Sequence, residues 1–469
     1  MQNKFDLIVI GAGPGGYVSA IRASQLGLKV AIVESAHLGG ICLNWGCIPT
    51  KALLKCSEVN HLLHNLDSYG FTAKEVGFDF EKIIARSRNV SKTLSTGIAS
   101  LLKKNKIEVF NGFASFKSKT QINVANAENN QTLEASYFVI ATGARARIIP
   151  GFEPDDQIWT YRQAMVPTAL PKSILVVGSG AIGVEFASFY RQMGSEVTLV
   201  EMAEQILPVE DAEIAKLATQ NFEKQGIKIH TKTTVESIKK NQHSVLATLK
   251  TEGKTQQIEV EKIIMAVGIV ANTENIGLQN TKIKLENSRI AVNSHCQTAE
   301  ENIYAIGDVV AGPWLAHKAS HEAVIAAEAI ASKMGKYNSK KLHTLNVSNI
   351  PGCTYSFPQI ASIGITEKKA KELNLKVKIG KFPYQANGKA IAVGETFGLI
   401  KVLFAEETGE LLGAHLIGAD ATEMIQVFAV AKQAELTEAE LMQTVFAHPT
   451  LGEMLHEAVL SAYGQAIHF

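Results

Sequence analysis

The spacing of apolar and polar positions divides the chain into recognisable elements. Phe5 to Ile10 is a short apolar run closed by Gly11, the pattern of a strand buried on both faces. A helical stretch through Ala20 and Ala23 stops near Gly27, and a second strand follows, Lys29 to Val33. Phe80 to Lys104 has the spacing of a long amphipathic helix with exposed Arg and Lys, and Glu108 to Val124 that of hairpin strands. Three later strands end in glycine: Tyr137 to Ile140 before Ala141-Thr142-Gly143, Lys262 to Val267 before Gly268, and Asn302 to Ile306 before Gly307-Asp308. At the first two, glycine suits a close approach of backbone to a ligand; at the third, the acid Asp308 at a strand end suits a ribityl or ribose hydroxyl. The stretch Ala316 to Ser332 predicts a helix with small residues on its packing face, and Ser339 to Lys341 a polar linker. From Asn346 short strands alternate, with IASIGIT at Ile360, GLIKVLF at Gly398 and LLGAHLIG at Leu411, and helices start at Ala421 and Glu438. That last part reads as a separate α+β domain.

The turn after the first strand carries Gly11, Gly13 and Gly16 as G-x-G-x-x-G, and the second strand ends in Glu34. Strand, glycine turn, helix, strand and terminal acid together form a dinucleotide fingerprint. The glycines allow a tight turn and close approach to a pyrophosphate, and the acid takes ribose hydroxyls. The unit recurs: Gly178, Gly180 and Gly183 repeat the glycines, and Ala187, Gly194, Val197, Val200 and Glu201 match Ala20, Gly27, Val30, Val33 and Glu34 at one offset. The repeat predicts two Rossmann-like dinucleotide-binding domains in an α/β chain, followed by the α+β domain. The expected division is 1–148, 149–270, a central region 271–343 returning to the first site, and 344–469.

Between the first fingerprint and the long helix lies GGICLNWGCIPTKALL, Gly39 to Leu54, with Cys42 and Cys47 separated by four residues. Pro49 and the run Ala52, Leu53, Leu54 predict a helix beginning near Ile48 or Pro49, which puts Cys47 at its positive end, where a thiolate is favoured. Residues five apart in a regular helix have Cα atoms about 8–9 Å apart, whereas a disulfide needs less than about 7 Å. If the two bond, Cys42 is expected in an irregular turn before the helix, which Gly46 makes easy. A bond closing so short a loop stabilises little and reads as reactive rather than structural. The competing reading is two unrelated buried thiols. Because this dithiol adjoins the first fingerprint, the first nucleotide is expected to be FAD and the second a nicotinamide. Glu201, with no Arg from Met202 to Leu207, favours NAD over NADP, since a carboxylate repels a 2′-phosphate. The plainer reading of Glu201 is a solvated acid at a strand end.

HPTLGE, His448 to Glu453, sets a histidine and a carboxylate five residues apart across a Pro-Thr turn, a spacing that suits a general base and its orienting partner. Thr450-x-x-Glu453 is equally a capping box for a following helix. Both readings stand on spacing alone.

Composition narrows the class. The chain has 469 residues, 46% hydrophobic and 19% charged, with formal net charge +1. It has length for several domains and no basic run that would suit nucleic acid. Five cysteines, an odd and sparse count, argue against a secreted disulfide framework. Cys56, Cys296 and Cys353 have no partner at a telling spacing and read as inert thiols. The chain opens directly into a strand, with no apolar run suited to membrane insertion and no metal-ligand spacing. The expectation is a cytoplasmic protein of bacterial type, or a processed organellar one.

Taken together, GGICLNWGCIPTKALL, the paired fingerprints, YAIGD and HPTLGE resemble the dihydrolipoamide dehydrogenases, the E3 components of 2-oxo acid dehydrogenase complexes, among the class I pyridine nucleotide–disulfide oxidoreductases. The resemblance covers essentially the whole chain. It implies a homodimer with FAD, NAD, central and interface domains, working on the lipoyl domains of E2 acyltransferases or on the glycine cleavage H protein. It implies that Cys42 is the thiol meeting substrate and Cys47 the thiol facing flavin. Lys51 would lie near the flavin N5, with Ala114, Asp308 and Ala316 as further FAD contacts and Val235 and Gly268 as NAD contacts. His448 would be the base, oriented by Glu453 and reaching the disulfide of the other subunit. Lys51 also reads simply as a solvated helix lysine. The chain departs from the family pattern where AVGR-x-P-N becomes AVGIVAN, with Ile269 and Ala271, a change on the nicotinamide side. It departs again at Phe357-Pro358-Gln359, usually HPE, and at Gly452, usually Ser. The expected reaction is oxidation of dihydrolipoamide through the disulfide and FAD, with hydride passing to NAD⁺. The alternatives are a related disulfide reductase with another substrate, or a non-catalytic flavoprotein docking subunit.

Overall fold

The computed structural model describes residues 4–127, 129–338 and 342–469, so the linker expected at Ser339 to Lys341 lies outside the described residues. The chain divides into two compact units, 1–52 with 84–147 and 269–347, and 53–83 with 148–268 and 348–469.

The first unit is built on one sheet. In order across it run Glu108–Asn111, Val30–Glu34, Lys4–Ile10, Asn130–Ile140, Gln121–Ala125 and Phe113–Ser118, and Ile303–Ala305 pairs with Asn130–Ile140 as well. Lys4–Ile10 is parallel to both neighbours, and its buried stretch from Leu7 to Ile10 is covered on both faces, which is why those four residues are continuously apolar rather than alternating. The helix Pro14–Gln25 lies against the helix Ala316–Lys333 through Ala20, Ala23, Ala323, Ala326 and Ala327, small side chains that permit close approach. Only Phe113–Ser118 and Gln121–Ala125 form the expected hairpin; Glu108–Asn111 pairs in parallel with Val30–Glu34 instead. A hairpin reading assumes sequence neighbours, whereas a parallel pair is made over a crossover that local pattern does not reveal.

The second unit holds a parallel sheet ordered Lys228–His230, Glu196–Val200, Ser173–Val177, Lys262–Met265 and Ile158–Trp159. It repeats the strand–turn–helix start of the first sheet, with Ala181–Gln192 as its first helix. A separate antiparallel sheet orders Gly352–Thr354, Gln359–Gly364, Leu411–Gly418, Gly398–Ala405 and Val377–Pro383. One face of it buries Ala361, Ile363, Phe382, Ile400, Val402, Ala414 and Leu416 in a core shared with the helices Ala421–Gln433 and Glu453–Ser461. The alternate positions put a polar row across the other face. Lys381, Lys401, His415 and Ser362 stand opposite one another in register on four successive strands.

That row is satisfied by acids from other elements. Lys401, 1% exposed at its side chain, pairs with Asp211 at 2.8 Å, Glu367 at 2.8 Å and Glu213 at 3.1 Å. Asp211 also caps the helix Ala212–Lys224 by accepting from Glu213 N–H. A buried charge needs such partners, because desolvation outweighs any single attraction. Among the described residues, two atoms in the cluster have no hydrogen-bond partner: Glu210 Oε2 and His415 Nδ1. Burial lowers the His415 imidazole, and its Nε2 is 3.0 Å from Ile365 O. Burial pushes the Glu210 carboxyl up to about 7, against its hydrogen bond with Ser362 and with added repulsion from Asp211.

A carboxyl raised in the folded state stabilises the fold below its ordinary range, and that contribution is lost as pH rises through about 7. Glu210→Gln removes this loss. Its thermal midpoint relative to the unsubstituted protein is therefore expected to be higher at pH 8 than at pH 5, measured by scanning calorimetry at both. Equal differences at both pH values would place the Glu210 proton elsewhere.

Candidate active site

The dithiol sits on two helices. Gly40–Trp45 carries Cys42, and Cys47–His64 begins at Cys47 itself. Gly46 between them has non-helical φ −147° and ψ −118°. This differs from the expectation in one respect: Cys42 lies in a short helix of its own, and the irregularity is confined to Gly46. The break is enough, because it removes the constant spacing that would hold residues five apart at helical distance. Asn44 Nδ2 braces the short helix by donating to Leu38 O at 3.0 Å and Gly40 O at 2.9 Å. Thr50 donates to Gly46 O from both its N–H, at 3.1 Å, and its Oγ1, at 2.7 Å. From the long helix Phe80–Lys104, Arg88 Nη1 donates to Asn44 O at 2.7 Å and Ser87 Oγ to Pro49 O at 3.1 Å.

The two sulfurs are a dithiol in this structure and lie within hydrogen-bonding reach of each other. That bond pushes the Cys42 thiol up, with burial and the Cys47 charge adding to it; Lys51 acts in the opposite direction and Asp308 adds a little more. Cys47, at the first position of its helix, is the sulfur placed to carry negative charge. Neither sulfur is an unrelated buried thiol. Cys296 fits that description: it is buried, and its thiol is pushed up chiefly by burial.

The two fingerprints are superposable in their chemistry. Glu34 Oε2 accepts from Ala12 N–H at 2.7 Å and Oε1 from Ala36 N–H at 2.8 Å. Glu201 Oε2 accepts from Ser179 N–H at 2.9 Å and Ser179 Oγ at 2.6 Å, and its Oε1 from Ala203 N–H at 2.8 Å. Glu201 is buried and hydrogen-bonded rather than a solvated strand end. Ser179, one residue past the first glycine, was not singled out by spacing; its position equivalent to Ala12 is the signal that finds it.

The glycines fall into two kinds. A Cβ on Gly16 would lie 1.9 Å from Gly11 O, and one on Gly183 1.9 Å from Gly178 O, so the protein's own packing requires them. Gly11 and Gly178, with φ +96° and +97°, meet the carbonyls of Ala141 and Ala266 in the same way. The middle glycines are different: a Cβ on Gly13 would meet nothing nearer than Gly40 Cα at 3.9 Å, and one on Gly180 nothing within 4 Å. Nothing in the protein needs glycine there. Open space beside a helix start, at both turns, fits a pyrophosphate approaching the backbone.

The remaining predicted contacts divide between the units. Thr142 and Gly143 follow Asn130–Ile140 and are fixed by Asn272: Thr142 Oγ1 donates to Asn272 O at 2.8 Å, and Asn272 N–H to Gly143 O at 2.9 Å. Ala114 is buried on Phe113–Ser118, and Ala316 opens the helix Ala316–Lys333. Asp308 lies on the turn Gly307–Val309, its carboxyl raised by burial with Lys318 opposing. In the second unit, Val235 lies at a bulge in Thr233–Lys240, and Gly268 is exposed with φ +98° after Lys262–Met265. The departure Ile269–Ala271 pairs antiparallel with Ala144–Ala146.

His448 and Glu453 belong to the second unit, and the dithiol to the first. His448 Nδ1 lies 3.0 Å from Glu453 Oε1, and the histidine is 79% exposed. Glu453 Oε2 accepts from Thr450 N–H at 2.8 Å. The reciprocal half of a capping box is missing: Thr450 Oγ1 donates to Ala447 O, and Gly452 caps the helix without a side-chain bond. One carboxylate thus serves both the helix start and the histidine. Glu453 is held below its ordinary range: burial raises it, but the Thr450 N–H and His448 outweigh that.

Residues 5–323 match the family model described as pyridine nucleotide-disulphide oxidoreductase, and residues 350–459 its dimerisation domain. The chain is 52% identical to the dihydrolipoyl dehydrogenase of Zymomonas mobilis and 48% identical to that of Rhizobium etli, each over 100% of both chains. Among solved structures it is similar to LpdA from Mycobacterium tuberculosis, with TM-score 0.88 and 27% identity over 97% of this chain and 98% of that one. It is also similar to the flavoprotein disulfide reductase RclA from Escherichia coli, with TM-score 0.87 and 26% identity over 98% and 99%. Among the described residues no helix is long and apolar enough to cross a membrane.

The two kinds of glycine give a paired test. Gly180→Ala is expected to fold with an unchanged melting temperature but to bind NADH about tenfold more weakly, since a methyl there obstructs only the ligand. Gly183→Ala is expected to lose roughly 1–3 kcal/mol of stability from overpacking. Calorimetry and NADH titration of both variants check this; equal destabilisation would remove the distinction.

Proposed function

The chain belongs to the pyridine nucleotide–disulphide oxidoreductases, and from that membership we infer that it oxidises protein-bound dihydrolipoamide to lipoamide and reduces NAD⁺, using a redox-active cysteine pair and FAD. The observation that carries this reading is the Cys42–Cys47 dithiol at the Gly46 break, one short helix away from the first glycine cradle. The protein works as a homodimer. We assign FAD to Gly11, Gly13, Gly16, Glu34, Lys51, Ala114, Thr142, Gly143, Asp308 and Ala316. We assign NAD to Gly178, Gly180, Gly183, Glu201, Val235 and Gly268. The corresponding segments are 1–148 for FAD, 149–270 for NAD, 271–343 returning to the FAD site and 344–469 for the interface. The substrates are lipoyl groups on E2 acyltransferase domains or on a glycine cleavage H protein. Bacterial relatives and the sparse cysteine content support a cytoplasmic location.

The chemistry follows from the two pairs. With Nδ1 held by Glu453, His448 presents Nε2 as the proton acceptor. In the dimer, His448 of the partner subunit takes a proton from one thiol of dihydrolipoamide. The thiolate attacks Cys42 Sγ of the oxidised pair; the Cys42–Cys47 bond breaks, a mixed disulfide forms on Cys42, and Cys47 leaves as thiolate. The second substrate thiol then attacks the mixed disulfide and passes its proton to the departing Cys42 sulfur, closing the lipoamide ring, while the first proton stays on His448 of the partner subunit. The substrate has lost two electrons and the cysteine pair has gained them, reaching the dithiol form described above. FAD held by the first-fingerprint residues would supply the carrier for this electron pair between the cysteine pair and NAD⁺. Lys51 opposes the rise of the Cys42 thiol and so favours sulfur in its charged form.

His448→Gln is expected to lower kcat for dihydrolipoamide oxidation by about 10²–10⁴-fold, the usual size of a general-base contribution. Reduction of the enzyme by NADH, which does not use the histidine, is expected to keep its rate. Stopped-flow measurement of each half-reaction checks this, and equal loss in both directions would refute the assignment of His448.

A further inference from the structure

A buried ion pair behind the Gly307–Asp308 turn has no part in the chemistry above. Lys318 and Glu322, 2% and 7% exposed, lie one turn apart on Ala316–Lys333, with Nζ 3.0 Å from Oε1. Both reach back to the same residue. Lys318 Nζ donates to Gly307 O at 3.2 Å, and Glu322 Oε2 accepts from Gly307 N–H at 2.7 Å. Gly307 has φ +76°, and a Cβ there would lie 3.3 Å from Ala319 Cβ. The pair therefore grips both polar groups of the one residue that sets the direction of the turn carrying Asp308.

The pair is poorly suited to stabilising its own helix. Lys318 places positive charge in the first turn, against the helix dipole, and Lys preceding Glu by four residues is the weaker order. Burial of both groups brings a desolvation penalty that the attraction offsets only when geometry is good. What the pair does accomplish is local. Lys318 opposes the effect of burial on Asp308 and on Glu322 alike, so one ammonium serves two carboxylates. A methyl on Gly312 would come within 3.0 Å of Lys318 Cε, so the following loop also closes on this side chain. The Asp308 charge in turn pushes the Cys42 thiol up a little, beside the larger effects of Cys47 and Lys51.

We propose that Lys318 and Glu322 are positioning residues that clamp the Gly307–Asp308 turn, holding the Asp308 carboxylate against the FAD chain on one side and within range of the Cys42 sulfur on the other. The FAD half rests on the assignment of Asp308 to the flavin made above; the Cys42 half does not.

The test uses the FAD-loaded dimer and the double variant Lys318→Met/Glu322→Gln. This variant conserves net charge and keeps an amide oxygen for Gly307 N–H, so its direct electrostatic effect on Cys42 is small. FAD release, followed by the fluorescence of freed flavin, is expected to speed up about tenfold, the loss of roughly one charge-assisted hydrogen bond. The pH profile for alkylation of Cys42 in the NADH-reduced enzyme is expected to move to lower pH as Asp308 loosens. In an Asp308→Asn background the same double change is expected to add less than about twofold to either readout, because it acts through Asp308. Wild-type FAD release and an unmoved profile, or effects undiminished in the Asp308→Asn background, overturn the proposal; the latter marks the pair as helix packing only. If Asp308→Asn alone leaves FAD release unchanged, the flavin assignment of Asp308 fails. The alkylation profiles then decide the clamp by themselves: a shift that vanishes without Asp308 upholds it, and no shift overturns it.

Discussion

The contact between Cys42 and Cys47 is the constraint on which the rest of the site depends. Sulfurs five residues apart do not meet on a continuous helix, so the chain must stop being helical between them and then resume. Gly46 provides the stop, and the brace from Asn44, Arg88, Ser87 and Thr50 keeps the two helices from realigning. The same break makes Cys47 the first residue of its helix. One backbone feature thus sets both the proximity that permits a reversible disulfide and the helix-start position that favours charge on Cys47.

Around the dithiol the molecule uses one device twice. In each fingerprint the terminal glutamate is tied back to the residue after the first glycine, Glu34 to Ala12 and Glu201 to Ser179. The tie fixes the acid beside the glycine turn before any ligand arrives, so less ordering is needed on binding. The outer glycines serve this fold and the middle ones leave room. A similar economy holds at the histidine, where Glu453 secures both its helix start and the ring of His448.

The elements most legible in the sequence were those whose signal is local. The fingerprints, the Phe80–Lys104 helix and the strand Leu411–Gly418 stand where pattern and spacing put them. Spacing does not separate capping from an acid–histidine pair at Thr450 and Glu453, because both need a carboxylate at that offset; in the structure Glu453 meets both the Thr450 N–H and His448. The parallel pairing of Glu108–Asn111 is not legible locally, because its partner Val30–Glu34 is distant in sequence. The polar row at Lys381, Lys401, His415 and Ser362 exists only once four strands are in register, and the clamp of Lys318 and Glu322 only once the Gly307 turn is seen beneath their helix. An i,i+4 Lys–Glu pair in sequence is an ordinary surface pattern; burial gives it a different meaning.

The most direct test of the account is an anaerobic titration of the purified dimer with dihydrolipoamide, followed in the visible spectrum and completed by adding NAD⁺. The account predicts a long-wavelength absorption from the Cys47 thiolate beside oxidised flavin, reversed by NAD⁺ with formation of NADH. Flavin that stays oxidised with dihydrolipoamide yet bleaches with NADH would contradict it, leaving the nicotinamide site intact and the dithiol assigned to the wrong substrate.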